Sequence, residues 1–506
     1  MTSPTKISLN PIVSGVPGLD TVLGGGIPEY SLNLIAGEPG SGKTTLANQI
    51  VFANASPSYR ALYFNALGEP PLKMLRYQQQ YNFFDQDKIG NAVRFIDLSE
   101  QMTELDLGKV LDRIIREVET SKPRLVVMDS FSSVVRAATL LKSGADQLQE
   151  FMQKLAIQMA AWRATTFLVG TFPDILGEKN STFTLVDGII RLTQDIQRSS
   201  VVRKLQVVKV RGQASLPGMH TFRITGDGIQ VFPRMMQRPE SDLRKSTTVR
   251  LKTGNLELDK MLGGGIPTGD SVLLAGPSGS GKTTLSAQFI VEGLKGNEHG
   301  IVVAFEEHPQ DYLKHTTKLG VDMNKMIKQN KLGVIYLRPL DLSVDETLYD
   351  LRREVTRIKA KRVVIDSLSG FEIALAPPYR DDFRESLYRM VGTLTSLGVT
   401  VLMTVEVTET FTDLHFSPHS VSFLTDTIIM QRYIELDGQL RKIIMVVKMR
   451  GGEHSSDLRL YDTSAKGLVI GDTLREYRGI ISGGPQLNKD KSQPAVSRLR
   501  SANKRK

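Results

Sequence analysis

One phosphate-binding loop occurs twice in this chain, and that duplication constrains its fold more than any other feature. Gly37-Glu38-Pro39-Gly40-Ser41-Gly42-Lys43-Thr44 and Gly276-Pro277-Ser278-Gly279-Ser280-Gly281-Lys282-Thr283 both satisfy G-x-x-x-x-G-K-[ST] in full. Glycines let backbone N–H groups turn inward around a polyphosphate, the lysine reaches its outer phosphates, and the threonine hydroxyl can ligate Mg²⁺. Each copy follows an apolar run (residues 31–36 or 271–275) and opens an apolar-periodic segment. That is a strand–loop–helix context, with a helix N-terminus aimed at an anion. The expected ligands are ATP and Mg²⁺. The first site would be built from Gly40, Ser41, Gly42, Lys43, Thr44 and Thr45, the second from Gly279, Ser280, Gly281, Lys282, Thr283 and Thr284.

Other landmarks repeat in step. Gly24-Gly25-Gly26-Ile27-Pro28 and Gly263-Gly264-Gly265-Ile266-Pro267 precede their loops by the same distance, and the period, Gly37 to Gly276, is 239 residues. That is far beyond a solenoid repeat and reads as duplication of a whole domain. An apolar strand ending in Asp follows each loop (Asp129, Asp366), and a later apolar run, residues 167–171 or 401–404, ends in Thr in both halves. Leu107, Val110, Leu111, Ile114 and Val118 share one helical face, as do Leu348, Leu351, Val355 and Ile358. Strands alternating with helices predict an α/β fold: two tandem P-loop nucleoside triphosphatase (NTPase) domains, each a mostly parallel sheet flanked by helices. The expected boundaries are residues 10–233 for the first domain, 234–247 for a polar linker, 248–475 for the second domain and 476–506 for a tail.

The 506 residues carry a net charge of +10, but from Asn488 onward seven Lys/Arg against one Asp supply +6 of it. The high basicity is therefore largely a property of the tail. The tail reads as a disordered, solubilising extension; the alternative is an electrostatic contact for an acidic partner, a membrane surface or nucleic acid. A DNA-directed motor should carry a basic stripe on its ordered core or an aromatic stacking platform. The near-balanced core offers neither, so a nucleic-acid partner is not expected. There is no cysteine, which excludes disulfides, thiolate zinc sites and cysteine nucleophiles. No run reaches the roughly 18–20 apolar residues of a membrane span, and no apolar signal core follows the first residues. A cytoplasmic protein is expected.

The two halves differ in catalytic equipment. Nucleotide hydrolysis needs a metal, a group that orients or deprotonates water, and positive charge on the transition state. Thr44 with Asp129 and Thr283 with Asp366 are the expected Mg²⁺ ligands, because ligands gather at strand C-termini in parallel sheets. In the second half the next strand runs into Glu306-Glu307-His308-Pro309, a carboxylate pair able to activate water. The first half reads Phe64-Asn65-Ala66-Leu67-Gly68-Glu69-Pro70. Either Ala66 and Leu67 or, with one residue inserted, Leu67 and Gly68 stand opposite the pair, and the pair is missing both ways. The first site is thus expected to bind ATP and to hydrolyse it slowly or not at all. Near each domain's end, Lys209-Val210-Arg211-Gly212 and Lys448-Met449-Arg450-Gly451 supply paired cations. Cations lent to a neighbour's γ-phosphate can accelerate turnover about 10³–10⁵-fold, which implies a ring.

These residues, together with Thr425-Asp426-Thr427 and Arg478-Gly479-Ile480-Ile481-Ser482-Gly483-Gly484-Pro485, resemble the KaiC family, the double-domain members of the RecA-like ATPases, across nearly the whole chain. The resemblance implies two stacked hexameric rings with ATP between subunits. It implies Lys209, Arg211, Lys448 and Arg450 as contacts to a neighbour's nucleotide, and Glu306, with Glu307 beside it, as the catalytic carboxylate of the second ring. It also implies Ser/Thr autokinase activity in that ring and a protein regulator bound at the C-terminal tail. Where clock members of the family carry adjacent Ser and Thr phosphosites, this chain has Ser422-Phe423. Phe423 has no hydroxyl, so a two-site phosphorylation cycle cannot run unaltered, and Ser422 is the candidate phosphosite, with Ser420 and Thr425 as alternatives. Two other functions compete with a hexameric KaiC-like ATPase of signalling or timing: a RecA-like DNA-dependent ATPase or recombinase, and a scaffold assembled by nucleotide.

Overall fold

The computed structural model describes residues 10–66, 71–104, 106–141, 144–172, 184–197, 200–234, 249–305, 309–336, 343–375, 383–407, 424–436, 438–464, 466–481 and 486–487. The chain divides into two compact units, residues 1–235 and 236–506. The polar stretch expected as a linker falls almost wholly outside the described residues, as do residues 488–506 of the basic tail.

Each unit is built on a nine-stranded sheet. The first has β1 (Leu32–Gly37), β2 (Ala61–Asn65), β3 (Val93–Asp97), β4 (Leu125–Asp129), β5 (Thr165–Gly170), β6 (Gly188–Gln197), β7 (Ser200–Val210), β8 (His220–Thr225) and β9 (Gly228–Phe232). Their order across the sheet is β9-β8-β7-β6-β1-β5-β4-β2-β3. From β3 to β6 every pairing is parallel; from β6 to β9 every pairing is antiparallel. The second unit has β10 (Ser271–Gly276), β11 (Gly300–Ala304), β12 (Leu332–Tyr336), β13 (Arg362–Asp366), β14 (Thr400–Glu406), β15 (Thr427–Leu436), β16 (Gln439–Met449), β17 (Arg459–Ser464) and β18 (Gly467–Thr473). Its order, β18-β17-β16-β15-β10-β14-β13-β11-β12, reproduces the first strand for strand.

Helices cover both faces of the first sheet. Along β1 consecutive side chains enter different cores: Ile35 joins Leu46, Ile50 and Val51 of α1 (Lys43–Asn54), whereas Leu34 joins α2 (Leu107–Ser121) and α3 (Gly144–Ala161). That alternation is what a strand buried on both sides requires. All five residues expected on one face of α2 are buried in that second cluster, with Leu148, Phe151, Met152 and Leu155 of α3. In the second unit, α4 (Lys282–Lys295) packs like α1, and α5 (Val344–Ile358) buries all four of its expected residues. The triple glycines adopt positive φ in both units (84°, 135°, 130° and 63°, 115°, 124°). A Cβ on Gly26 would stand 2.6 Å from the Ile12 carbonyl oxygen, so no other residue fits this bend at low cost.

Register corrects one expectation. Ile35 pairs with Val169, and Leu274 with Thr404. Thr404 therefore matches Val169, and Thr171 matches Glu406; the two terminal threonines are not equivalent. Both runs are apolar with a threonine near the end, so a pattern without register misaligned them by two residues.

The second unit also carries a charged device at a position where the first has Leu125. Arg362, the first residue of β13, is buried and donates to Glu298 (2.7 Å), to the Lys252 carbonyl (2.7 Å) and to the Phe289 carbonyl (2.8 Å), with its guanidinium 4.5 Å from the Phe289 ring. Burial pulls its pKa down from the ordinary value, and Glu298 opposes that. This satisfied pair ties the strand's start to α4.

Two candidate nucleotide sites

In the first unit the loop leaves the C-terminal end of β1 and opens α1. Gly40 and Gly42 have φ of 79° and 97°, and no side chain caps the start of α1. The first-turn N–H groups thus point out of the sheet's C-terminal edge as anion donors. Gly279 and Gly281 repeat the turn at 73° and 100°, and α4 is likewise uncapped. Lys43 Nζ donates to the Glu38 carbonyl (2.8 Å), and Lys282 Nζ to those of Gly276 (2.9 Å) and Pro277 (2.8 Å). Burial lowers the Lys43 pKa, with Asp129 and Glu38 opposing. A desolvated cation of this kind gains from an incoming polyphosphate.

The expected metal ligands meet in the first unit. Thr44 Oγ1 donates to Asp129 Oδ2 at 2.7 Å, and Asp129 is 4 % exposed. This leaves the hydroxyl's lone pairs for a cation, with a carboxylate behind it. A hydroxyl, a carboxylate and phosphate oxygens are the all-oxygen donor set Mg²⁺ prefers, so the residues fit the ion. In the second unit Asp366 Oδ1 accepts instead from Thr404 Oγ1 (2.5 Å).

Sequence reasoning missed several supporting side chains. Tyr63 OH donates to Asp129 Oδ2 (2.8 Å), and Asn48 Nδ2 donates to the Thr44 carbonyl (2.9 Å) and to the Tyr63 oxygen (3.4 Å). In the second loop Ser280 Oγ donates to Gln431 Oε1 (3.0 Å), Tyr461 OH to the Ser280 carbonyl (2.6 Å), and Lys442 Nζ to the Gly279 carbonyl (3.1 Å). Register sets Leu192 and Phe222 opposite Gln431 and Tyr461, so the first loop lacks these two braces. No motif signals such contacts, because they join strands far apart in sequence.

Register also settles the alignment beyond β2 and β11. Asn65 pairs with Asp129, and Ala304 with Asp366. Ala66 N donates to the Asp129 carbonyl (2.9 Å) and Phe305 N to that of Asp366 (3.2 Å). Counting on, Leu67 and Gly68 correspond to Glu306 and Glu307. Glu69, Glu306, Glu307 and Ser422 themselves lie outside the described residues.

The paired cations occupy the opposite end of each sheet from the loop of their own unit. Arg211 N donates to the Asp187 carbonyl (3.0 Å), and Asp187 N to that of Leu32 (2.7 Å), at the start of β1. Five residues of strand, roughly 16 Å, separate this level from Gly37. Arg211 pairs with Asp187 (3.1 Å), whose other oxygen accepts the Leu32 N–H (3.0 Å). Arg450 lies 3.8 Å from Asp426, which accepts from Ser271 N (3.0 Å) and Ser271 Oγ (2.8 Å). Lys209 Nζ donates to the Val186 carbonyl (2.6 Å) and Lys448 Nζ to that of Thr425 (2.7 Å). In both lysines burial lowers the pKa, the adjacent arginine adds to this, and the aspartate opposes it. Both arginines remain more than half exposed. Asp187 and Asp426 lie 239 residues apart, so the repeat period could have found them. Thr425 is fully buried.

A family model described as "ATPase: KaiC" matches residues 12–236 and again residues 251–475. The chain belongs to the KaiC family. Similar relatives include the "Circadian clock oscillator protein KaiC" of Picosynechococcus, 28 % identical over 481 residues (93 % of this chain, 91 % of the relative). The protein of that name from Synechococcus elongatus is 27 % identical over 497 residues (96 % and 94 %), and the "Circadian clock protein KaiC3" of Synechocystis is 28 % identical over 499 (96 % and 96 %). Tandem KaiC domains account for the two matching sheets. Among the described residues no helix is long and apolar enough to cross a membrane.

Proposed function

We propose that this chain is a Mg²⁺-dependent ATPase that assembles as a homohexamer, with ATP at the subunit interfaces, and that its two nucleotide sites have different tasks. The second unit hydrolyses ATP, with Glu306 and Glu307 as its acidic machinery; the first binds ATP chiefly to hold subunits together. One observation carries the reading. In both units Lys209/Arg211 and Lys448/Arg450 lie at the sheet end opposite their own loop, so any nucleotide they touch is not the one held by that loop, and we assign it to a neighbouring subunit. Arginines more than half exposed are suited to meeting a further anion.

Each residue then has a task. The loop's N–H groups and Lys282 orient the phosphates, Thr283 and Asp366 hold Mg²⁺, which when bound neutralises phosphate charge, Glu306 orients or deprotonates water, and a neighbour's Lys448 and Arg450 stabilise the transition state. Ser422 lies three residues before Thr425, whose carbonyl receives Lys448. A phosphate acceptor there would draw on a neighbour's ATP. We therefore extend the proposal to autophosphorylation of Ser422 and, from the names of the relatives, to a role in timing or signalling read by a protein that binds the basic tail.

Incubation with γ-labelled ATP and Mg²⁺, followed by phosphopeptide mass spectrometry, tests the kinase half. Label is expected on the peptide spanning residues 420–425, and it should vanish in Ser422→Ala and Glu306→Gln. An unlabelled wild-type chain removes the kinase activity from the proposal and leaves the ATPase standing.

A further inference from the structure

The two metal-binding aspartates are braced from opposite sides, and the difference lies in this chain's own residues. In the first unit Asp129 Oδ2 receives two protons, from Thr44 Oγ1 and from Tyr63 OH. Tyr63 is fully buried, and its neutral phenol serves as the donor in the 2.8 Å contact with Asp129. Asn48, one helical turn beyond Thr44, donates to the Thr44 carbonyl and, at 3.4 Å, to the Tyr63 oxygen. With its oxygen receiving that donor, the phenol's single proton is directed at Asp129. The chain of groups closes on itself: Thr44, Asp129, Tyr63, Asn48 and back to Thr44.

The second unit contains none of this network. Positions 239 residues on from Asn48 and Tyr63 are Ala287 and Val302, both buried in the apolar core. There the brace comes from the neighbouring strand, through Thr404, where the first unit has Val169. The donor that reaches Asp366 from Thr404 thus comes from the strand on the other side from the one that carries Tyr63 to Asp129.

We propose that Tyr63 and Asn48 are positioning residues for the metal end of the first site: they fix the Asp129 carboxylate and, through it, the Thr44 hydroxyl, so that this site takes up Mg²⁺–nucleotide on ligands already in place. The inference rests on the reading of the first loop as a nucleotide site and goes beyond it. Outer partners that orient metal ligands typically contribute about 10–100-fold in metal affinity. Ligands fixed before binding suit a site that retains nucleotide rather than turning it over.

The test uses the full-length Lys282→Ala chain, in which only the first loop grips phosphate. Binding of a fluorescent ATP analogue is titrated with Mg²⁺ and, separately, measured in excess chelator. Tyr63→Phe keeps the aromatic contact with Phe95 (ring centroids 5.1 Å apart) and removes only the hydroxyl. It is expected to raise the half-saturating Mg²⁺ concentration about tenfold, with chelator-state affinity within about twofold of the parent. Asn48→Ala should shift the Mg²⁺ requirement in the same direction by less. An unchanged Mg²⁺ requirement in Tyr63→Phe overturns the proposal, and so does an equal loss of affinity with and without Mg²⁺, which marks a packing role. If the Lys282→Ala parent binds no nucleotide, the reading of the first loop falls as well, and the two failures are told apart by that control.

Discussion

Glu306→Gln is expected to lower Mg²⁺-dependent ATP hydrolysis by about 10²–10⁴-fold, the range for loss of a general base, while ATP affinity stays near that of the parent. The amide preserves size and hydrogen bonding but cannot take up the proton of an attacking water. The choice of residue follows from the sequence beside a described contact: Phe305 N is held by the Asp366 carbonyl at 3.2 Å, and Glu306 is the next residue along the chain. Phosphate release in multiple turnover, with equilibrium ATP binding in parallel, measures both quantities. A variant that hydrolyses within a few-fold of the parent would move the base elsewhere. Glu406, which ends β14 in register with Gly276, would then be the next candidate to test.

Removing the cations should cost as much. Lys448→Ala together with Arg450→Ala is expected to reduce turnover by about 10³-fold or more, as for charges lent across an interface. Arg450 is more than half exposed and 3.8 Å from Asp426, so its loss should cost folding stability no more than about 1 kcal/mol, and thermal melting checks this. The distinguishing observation is complementation. Subunits carrying Lys282→Ala have an intact cation pair, and subunits carrying the double substitution have an intact loop. Mixed and reassembled, they should form some complete sites and regain hydrolysis that neither shows alone. If activity stays absent in mixed oligomers, Lys448 and Arg450 serve only their own subunit, as ties to Asp426 and Thr425.

Much of this was legible in the sequence because the duplication acts as an internal alignment. The loops, the aspartates ending β4 and β13 and the apolar faces of α2 and α5 are local patterns; the loops lie 239 residues apart and the aspartates 237. The rest depends on what lies next to what. Thr171 and Thr404 look equivalent until the pairing of β1 with β5 and β10 with β14 shows that Val169 occupies Thr404's place. The sequence left two alignments of residues 66–68 open, and one register pair on each side chooses between them. Tyr63 and Asn48 read as ordinary core and helix residues, since only the folded sheet brings them to Asp129. Lys209 and Arg211 could be recognised as a repeated basic pair, but which end of the sheet they occupy follows from the antiparallel return of β7.

In the proposed division of labour two equivalent loops grip a triphosphate, while only the C-terminal unit carries the Glu306-Glu307 pair to break it. Single-turnover hydrolysis by the Lys282→Ala chain, with ATP bound to the first site alone, decides between this division and two active sites. Bound ATP is expected to stay largely intact over the time in which the parent chain completes many turnovers. Robust Mg²⁺-dependent hydrolysis there, abolished by Glu69→Gln, would contradict it and make the first unit an enzyme with a displaced base.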